Sequence, residues 1–348
     1  MRTHVMELQE GDRLKTDIFN RAGLHILPKG TSIHTEEIAL LIRQSIDYVD
    51  IELREGEAVS ASKDPKEFTQ RLRDNFYFTL KGYQSLFLEA LTTGKFNQSM
   101  VDRHLVPMLE VLDRNKDVVS LLIAFSEEDV TIYNHSLQVG LLSYYIATWL
   151  GYSAEECYEI SKAGYLHDIG KSKVRQSIRN NDHELTEEER EEMKRHTTYG
   201  YEIIRDSTGE DITALVALQH HEYEDGSGYP GKLPKEKIHP YAEIVAVANT
   251  YIGLASPDEN RNRQDLLTVL RRIYELGFGK LNEKAVQALT RNLLPNFIGK
   301  RAKLSNGETA TIVWNNPMDI FKPLVQVDEE QFRDLSRERS IDLEQVFI

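Results

Sequence analysis

The sequence predicts a mainly α-helical protein, in which a helical domain follows a small α/β module and precedes a β-rich extension. Apolar residues recur at spacings of three and four from Asp64 to about Pro295, as they do along helices with one buried face. Outside that stretch, short apolar runs are interrupted by Gly, Pro and Asn, which is typical of strands joined by turns. The predicted domains are residues 1–62, a regulatory module with its linker, 63–297 and 298–348.

Composition and charge exclude several functions. The 348 residues carry a formal net charge of −14, which argues against binding a nucleic-acid polymer, because phosphate backbones need a Lys/Arg surface. A small phosphate ligand needs only local positive charge, and bound metal ions can supply it. We expect neither a membrane span nor a secretory signal, since no apolar run is long enough. The single cysteine, Cys157, cannot form an intramolecular disulfide, so we expect a cytoplasmic protein.

The N-terminal module is predicted to contain short strands followed by a helix. Residues 24–30 form a strand-like piece that ends in Pro and Gly. Thr35 is placed to cap a helix over residues 36–44. The polar residues 54–67 then have the composition of a linker.

Several helix starts are marked in the central region. Ser153 precedes a helix over residues 154–168. Thr186, with Glu189 three residues later, predicts a capping box ahead of a helix that continues through residues 189–204. A further apolar helix is expected over residues 241–255.

The C-terminal extension is predicted to open with a β-hairpin. Residues 297–314 contain two short alternating runs around Asn306-Gly307, a dipeptide favoured in two-residue hairpin turns. Residues 323–348 are expected to add further short strands with a polar insert.

The placement of the histidines is the strongest chemical signal in the chain, which has eleven of them. His135 repeats at helical spacing with Val139 and Leu142, and His196 does so with Gly200, so both should face a core. Two pairs complete the inward-facing set. His167-Asp168 ends the helix predicted over residues 154–168, and His220-His221 directly follows another apolar helical run.

A single inward histidine is more often a satisfied core residue than a metal ligand. Burying five imidazoles and a carboxylate costs free energy unless each has a partner, and a shared metal centre provides one for all of them. Histidine with aspartate suits Fe, Mn or Zn better than Mg or Ca. The residues therefore predict a metal site in the helical core.

Two motifs resemble a known family. The segment from His167 to Lys171, HDIGK, looks like the HD signature of metal-dependent phosphohydrolases. The segment from His220 to Pro230, HHEYEDGSGYP, is similar to the signature of the HD-GYP branch, and the surroundings of His135 also match in order. The resemblance covers roughly residues 126–297 and is specific, because the long second motif does not arise by chance.

The resemblance to HD-GYP proteins implies an all-α fold, a site for two or three divalent metal ions, and hydrolysis of cyclic di-GMP to a linear or mononucleotide product. It implies catalytic roles for Asp168, which would bridge the metals, and for Lys171, which would meet a phosphate oxygen. Without the resemblance, Lys171 would be an ordinary lysine at a helix C-terminus. The implied metal ligands are His135, His167, Asp168, His196, His220 and His221, with Asn249 at the place of a seventh.

The DGSGYP segment by itself predicts only a turn, because Gly226 and Gly228 permit backbone angles closed to other residues. Beside two expected ligands, it is interpreted as a wall of the substrate pocket. Tyr229 offers a ring and a hydroxyl there, so the substrate-binding residues expected are Lys171, Tyr229 and Arg261.

The chain departs from the HD-GYP pattern at three positions. Asn249 replaces an aspartate metal ligand of the family, and a neutral amide is a poorer ligand than a carboxylate. Thr131 stands where some members have a glutamate for a third metal, so we expect two metal ions; the second should be weakly held because of Asn249. Asp258 stands where the family often has a basic residue, whereas Arg261 is retained at the second such position.

Three functions are compatible with these residues. The first is a cyclic di-GMP phosphodiesterase, weakened by Asn249 and Asp258. The second is a degenerate HD-GYP domain that acts as a nucleotide-binding or protein-interaction module, with a second copy or a signalling protein as partner. The third is a hydrolase of another nucleotide. Most of the metal ligands that the resemblance implies are present in this sequence, which favours the enzyme.

Overall fold

The computed structural model forms two compact units, Met1–Gln70 and Arg71–Ile348. Among the described residues, every helix is too short or too polar to span a bilayer. The three domains drawn from the sequence stay predictions. The residues described are 2–5, 8, 11–19, 25–34, 37, 38, 40, 41, 44, 46, 48–52, 65–113, 131–179, 184–256, 265–316, 319–328, 331–338 and 340–347.

The first unit is built on short antiparallel strands. Strand β1, Arg2–His4, pairs with β4, Tyr48–Asp50, and β2, Ile18–Phe19, pairs with β3, His25–Leu27. The predicted strand within residues 24–30 is thus present. An apolar core joins these strands to the turns between them: Val5, Leu8, Leu14, Ile18, Leu27, Ile33, Leu41, Val49 and Ile51.

The helix predicted after the strands falls partly on described residues. Residues 37, 38, 40 and 41 are helical, whereas the predicted cap Thr35 lies outside the described residues. Helix α1 begins at Pro65, so the last three residues of the linker predicted over 54–67 are helical. Proline is favoured in the first helical turn, where its missing N–H would have no helical partner.

The mainly α fold class is confirmed. No β-strand occurs among the described residues from 65 to 297. Short 3-10 turns cover Ile169–Lys173, Lys235–Lys237 and Leu294–Phe297. The helices are α1 Pro65–Thr93, α2 Ser99–Asp113, α3 Ile132–Trp149, α4 Ala154–Leu166, α5 Gln176–Arg179, α6 Glu187–Lys194, α7 His196–Thr208, α8 Asp211–Gln219, α9 Pro240–Ala255, α10 Leu266–Leu276 and α11 Glu283–Leu293.

Both predicted helix starts in the central region are confirmed. At α4, the Ser153 hydroxyl accepts the Glu156 N–H while the Glu156 carboxylate accepts the Ser153 N–H. The same reciprocal box joins Thr186 and Glu189 at α6. Each box pairs N–H groups that a helix start otherwise leaves without a partner.

The helix predicted through residues 189–204 is interrupted at Arg195, so the prediction of one continuous helix was wrong. The Arg195 N–H bonds to the carbonyls of Glu192 and Met193. The His196 ring nitrogen Nδ1 also donates to the Met193 carbonyl, at 2.7 Å. This side-chain bond competes with the ordinary helical bond to that carbonyl. The break makes His196 the first residue of α7.

Glycine lets α3 and α4 pack with their backbones in contact. A Cβ atom on Gly164 would lie 3.0 Å from the Gly140 Cα, and one on Gly140 would lie 2.9 Å from the Tyr165 amide nitrogen. Because α3 starts with His135 in its first turn and α4 ends just before His167, this close packing brings the two histidines together, with ring centroids 5.5 Å apart.

A second close approach seats the segment after α4 on α7. A Cβ on Gly170 would lie 2.0 Å from the His196 carbonyl oxygen and 2.3 Å from the Gly200 nitrogen. Only glycine leaves room for that contact. It sets the HDIGK segment directly against the start of α7, where His196 lies.

The C-terminal extension is the predicted β-rich element. Five antiparallel strands form one sheet in the order β8-β7-β6-β5-β9. The hairpin predicted at Asn306-Gly307 joins β5 to β6, and Gly307 has the positive φ of 88° that such a turn requires. The strands are β5 Arg301–Leu304, β6 Thr309–Trp314, β7 Leu324–Gln326, β8 Phe332–Asp334 and β9 Leu343–Phe347.

Candidate metal centre

Four helix ends bring the predicted ligands together. The ligands lie at the start of α3, the end of α4, the start of α7 and the end of α8. The side chains form two triplets, and within each triplet the possible ligand atoms lie within 4.8 Å of one another. One triplet is His135, His167 and Asp168, and the other is His196, His220 and His221.

Asp168 lies between the two triplets and is 2% exposed. Its Oδ2 is 3.3 Å from His167 Nε2 and 3.8 Å from His135 Nε2. Its Oδ1 is 3.3 Å from His196 Nε2 and 3.9 Å from His220 Nε2. One carboxylate oxygen therefore faces each group of imidazoles.

Backbone carbonyls set the protonation of three rings. His167 Nδ1 bonds to the Gly164 carbonyl at 2.6 Å, and His220 Nδ1 bonds to the Ala217 carbonyl at 2.9 Å. His196 Nδ1 likewise bonds to the carbonyl of Met193, three residues earlier in the chain. A carbonyl only accepts, so Nδ1 must carry the proton in each ring, and Nε2 then presents a lone pair to the centre.

These lone pairs have no adequate partner within the described residues. His196 Nε2 and His220 Nε2 face each other at 3.2 Å, although neither carries a proton in this tautomer. His167 Nε2 and Asp168 Oδ1 are buried without a hydrogen-bond partner among the residues described. A cation between these atoms would satisfy all of them, so the donor set fits a metal ion.

Charge and burial hold the site in the protonation state that metal binding needs. Burial lowers the pKa of His196 and of His135 to about 4, and lowers the pKa of His220 and His221 well below the ordinary range. Burial would raise the pKa of Asp168, but the adjacent His167 ring and the Lys171 ammonium outweigh it and hold that pKa well below its usual value. Neutral imidazoles and an ionised carboxylate are the forms that bind metals.

Asn249 lies in the site and bonds to a predicted ligand. Its amide Oδ1 is 2.8 Å from His135 Nε2, so this ring nitrogen donates and carries the proton. The His135 side chain keeps 19% exposure, unlike the deeply buried His167. The Thr131 hydroxyl accepts the Asn134 N–H and caps α3. The two triplets therefore differ, because one of them contains a ring whose Nε2 is already engaged.

The predicted substrate contacts are only partly described. Lys171 Nζ lies 2.6 Å from Asp168 Oδ2, and the Lys171 side chain is 21% exposed. Its ammonium group is therefore at the edge of the cluster. The Tyr229 ring stacks on His221 with centroids 4.6 Å apart and an interplanar angle of 19°. Asp258 and Arg261 lie outside the described residues.

Sequence reasoning missed three neighbours of the cluster. Lys194 Nζ lies 5.8 Å from the centroid of the Tyr229 ring, but a lysine on a charged helix gives no signal of this. Tyr83 of α1 is buried and accepts a bond from the Ser136 hydroxyl, and burial with the Asp168 charge raises its pKa. Glu222 is buried directly after the two histidines, and its place in the HHE motif could have marked it.

Comparison with known proteins assigns this region. Residues 132–252 match the model of the HD domain family. The HDG"Y"P protein Bd1817 from Bdellovibrio bacteriovorus shares the fold, with a TM-score of 0.55 and 18% sequence identity over 83% of this chain and 97% of that one. The resemblance drawn from the motifs is thereby confirmed for the HD domain, and the HDG"Y"P protein shares its fold.

Two curated relatives align with about half of the chain. The cyclic di-GMP phosphodiesterase response regulator RpfG of Xanthomonas campestris pv. campestris (strain 8004) is 34% identical over 196 residues, 56% of this chain and 52% of RpfG. A cyclic di-GMP phosphodiesterase of Thermotoga maritima is 36% identical over 178 residues, 50% of this chain and 48% of the relative. The chain spans about half the length of these curated relatives.

Proposed function

We propose that this chain is a metal-dependent phosphodiesterase that hydrolyses cyclic di-GMP in bacterial second-messenger signalling in the cytoplasm. The observation that carries the proposal is Asp168 lying between two groups of imidazoles whose Nε2 atoms converge on it. The names of RpfG and of the Thermotoga maritima relative, both cyclic di-GMP phosphodiesterases, support the same substrate.

The proposed cofactor is a pair of divalent cations, Fe, Mn or Zn, held by the six clustered side chains. Imidazole nitrogens with one carboxylate suit these metals. When bound, such cations lower the pKa of a water molecule and compensate the negative charge of a phosphodiester.

We further propose that the two cations bind unequally. His196, His220, His221 and the facing Asp168 Oδ1 would hold the first, because the Nε2 lone pairs of His196 and His220 lack a partner among the described residues. The second would need His135, whose Nε2 must first give up its bond to Asn249. An amide oxygen also offers less charge compensation than a carboxylate. Occupancy below two ions per chain is expected.

The other groups would act on the nucleotide. Asp168 would orient the attacking water through its carboxylate, and the Lys171 ammonium at the edge of the cluster would meet a phosphate oxygen. Tyr229 would form a wall of the pocket beside His221. Arg261 is proposed as a second phosphate contact on its motif position alone. Asp258 would oppose an approaching phosphate and slow turnover.

Metal analysis of anaerobically purified protein, paired with a turnover assay, tests the proposal. We expect between about one and two ions of Fe, Mn or Zn per chain and slow conversion of cyclic di-GMP to a linear or mononucleotide product. Tight cyclic di-GMP binding without metal or cleavage would favour the degenerate binding module, which Asn249 supports. Cleavage of cyclic GMP-AMP but not of cyclic di-GMP would favour the third function.

A further inference from the structure

Glu222 is a buried carboxylate beside the proposed metal centre that belongs to neither triplet. It is 3% exposed and directly follows His220-His221. Its Oε1 accepts the Gly231 N–H at 2.5 Å, and its Oε2 accepts the Leu233 N–H at 2.9 Å. No ion pair of Glu222 with a cation occurs among the described residues.

Both bonds close the loop that carries Tyr229. Residues 223–233 leave Glu222 and return to it, so the carboxylate ties the far end of the loop to its beginning. A charged acceptor makes stronger bonds to backbone N–H groups than a neutral one does. Because the carboxylate is buried, losing these partners would leave it unpaired at a high cost.

The closed loop passes directly over the two histidines. A Cβ atom on Gly228 would lie 2.4 Å from the His221 carbonyl oxygen and 2.5 Å from the Glu222 Cα. The Tyr229 N–H donates to the same His221 carbonyl at 3.0 Å, and the Tyr229 ring stacks on the His221 ring. The place of the tyrosine ring therefore depends on the loop being held down at both ends.

We propose that Glu222 is a positioning residue that acts through Tyr229: its carboxylate closes the loop, and the closed loop holds the tyrosine ring against His221 as a wall of the nucleotide pocket. Each of its oxygens accepts a backbone N–H group and Glu222 belongs to neither triplet, so we assign it a positioning role and not the role of a metal ligand or a substrate contact. This inference rests on the proposed function, because the wall matters only if a nucleotide binds there.

Kinetics of five variants test the proposal. Glu222→Ala should raise the KM for cyclic di-GMP about tenfold and change kcat and the metal content little. Glu222→Gln keeps one acceptor but turns an NH2 group toward the other N–H, so it should restore only part of the affinity. Tyr229→Ala should raise KM to a similar extent, and Glu222→Ala added to it should change KM less than twofold, because both act through one ring. Glu236→Ala, an exposed carboxylate just after the loop, is the matched control.

Limited digestion with trypsin tests the loop without relying on activity. Lys232 lies inside the closed loop, and cleavage after it should be several-fold faster in Glu222→Ala than in wild type or Glu236→Ala, at an unchanged global unfolding midpoint. Equal digestion rates with an unchanged KM would overturn the inference. So would loss of metal from Glu222→Ala, because Glu222 would then be a ligand. If the wild type neither cleaves nor binds cyclic di-GMP, the proposed function fails, and digestion still decides whether Glu222 holds the loop.

Discussion

At the residue scale, one ring of the cluster differs from the others in what its nitrogen bonds to. His167, His196 and His220 bind carbonyls through Nδ1 and leave Nε2 to the centre. His135 instead donates a hydrogen bond from its Nε2–H to the Asn249 amide oxygen. A single amide in place of a carboxylate thus changes both the charge of the site and the availability of a neighbouring ligand.

Replacing Asn249 with aspartate should therefore raise metal occupancy. Asn249→Asp adds the missing charge and an oxygen that binds metal, so we expect the second ion to bind about 10–100-fold more tightly and turnover to increase. Metal analysis at fixed free metal concentration measures the change. Asn292→Asp, the same change on the exposed face of α11, is the control and should alter neither quantity. Full occupancy of two ions in the unmodified protein would contradict the expectation.

At the element scale, the ligands converge because helices approach one another at glycines. The contact between Gly140 and Gly164 fixes the spacing of α3 and α4, and with it the distance between His135 and His167. The candidate metal site thus depends on helix packing as well as on the proposed ligands themselves.

Gly164→Ala should damage both stability and metal binding. The added Cβ would lie 2.9 Å from Ser143 Oγ and 3.0 Å from the Gly140 Cα, so α3 and α4 must separate. We expect a loss of about 1–3 kcal/mol in the free energy of unfolding, measured with urea, and lower metal content. Gly253→Ala on α9 is the matched control, because its Cβ would meet nothing within 4 Å and it should stabilise by up to about 1 kcal/mol. Equal effects of the two substitutions would contradict this.

Two neighbouring carboxyl groups, Glu243 of α9 and Glu224 of the loop 223–233, should make stability depend on pH. Burial and the neighbouring Glu224 raise the pKa of Glu243 from its ordinary value of 4.5 to about 7. Asn282 donates to both side chains, and Lys235 pairs with Glu224. Because the folded pKa is raised, stability is present below the unfolded pKa and is lost as pH rises through about 7. The unfolding midpoint of Glu243→Gln should thus gain on wild type as pH rises from 4.5 to about 7 and stay ahead by a constant amount above that. A constant difference from pH 4.5 to about 7 would argue against it. Glu283→Gln is the charge-matched control.

At the scale of the whole molecule, the sequence predicted the architecture where local signals are strong. The capping boxes at Ser153 and Thr186, the hairpin at Asn306-Gly307 and the helical texture between them all have short-range causes. The interruption at Arg195 was missed, because it arises where the His196 ring bonds to the Met193 carbonyl, and helical spacing does not reveal such a bond.

The same division holds for the candidate site. The sequence predicted that the histidines group together, because helical spacing puts them on buried helix faces. The motifs then indicated which of them belong to one site. The tautomers, the Asn249 bond and the role of Glu222 in closing the loop could not be predicted, because they depend on which atoms meet after the chain has folded. Lys194 and Tyr83 gave no signal in sequence for the same reason.

Metal removal should lower the stability of the whole domain. The proposed ligands come together only in the folded chain, so a cation at 100 times its dissociation constant would add about 2.7 kcal/mol to the free energy of unfolding. We expect a chelator to lower the thermal midpoint and added Mn or Zn to restore it. Asp168→Asn should lose most of this metal-dependent shift, and Asn292→Asp should keep it. An identical midpoint with and without chelator would count against metal binding.

Anomalous X-ray scattering from crystals grown with Mn, Fe or Zn tests the central claim most directly, because it locates the metal independently of activity. The account predicts a peak about 2.0–2.3 Å from Asp168 Oδ1 and from the Nε2 atoms of His196 and His220, with a weaker second peak toward His135. The absence of a peak at Asp168 in metal-soaked crystals, or a peak bound only by other residues, would contradict the account.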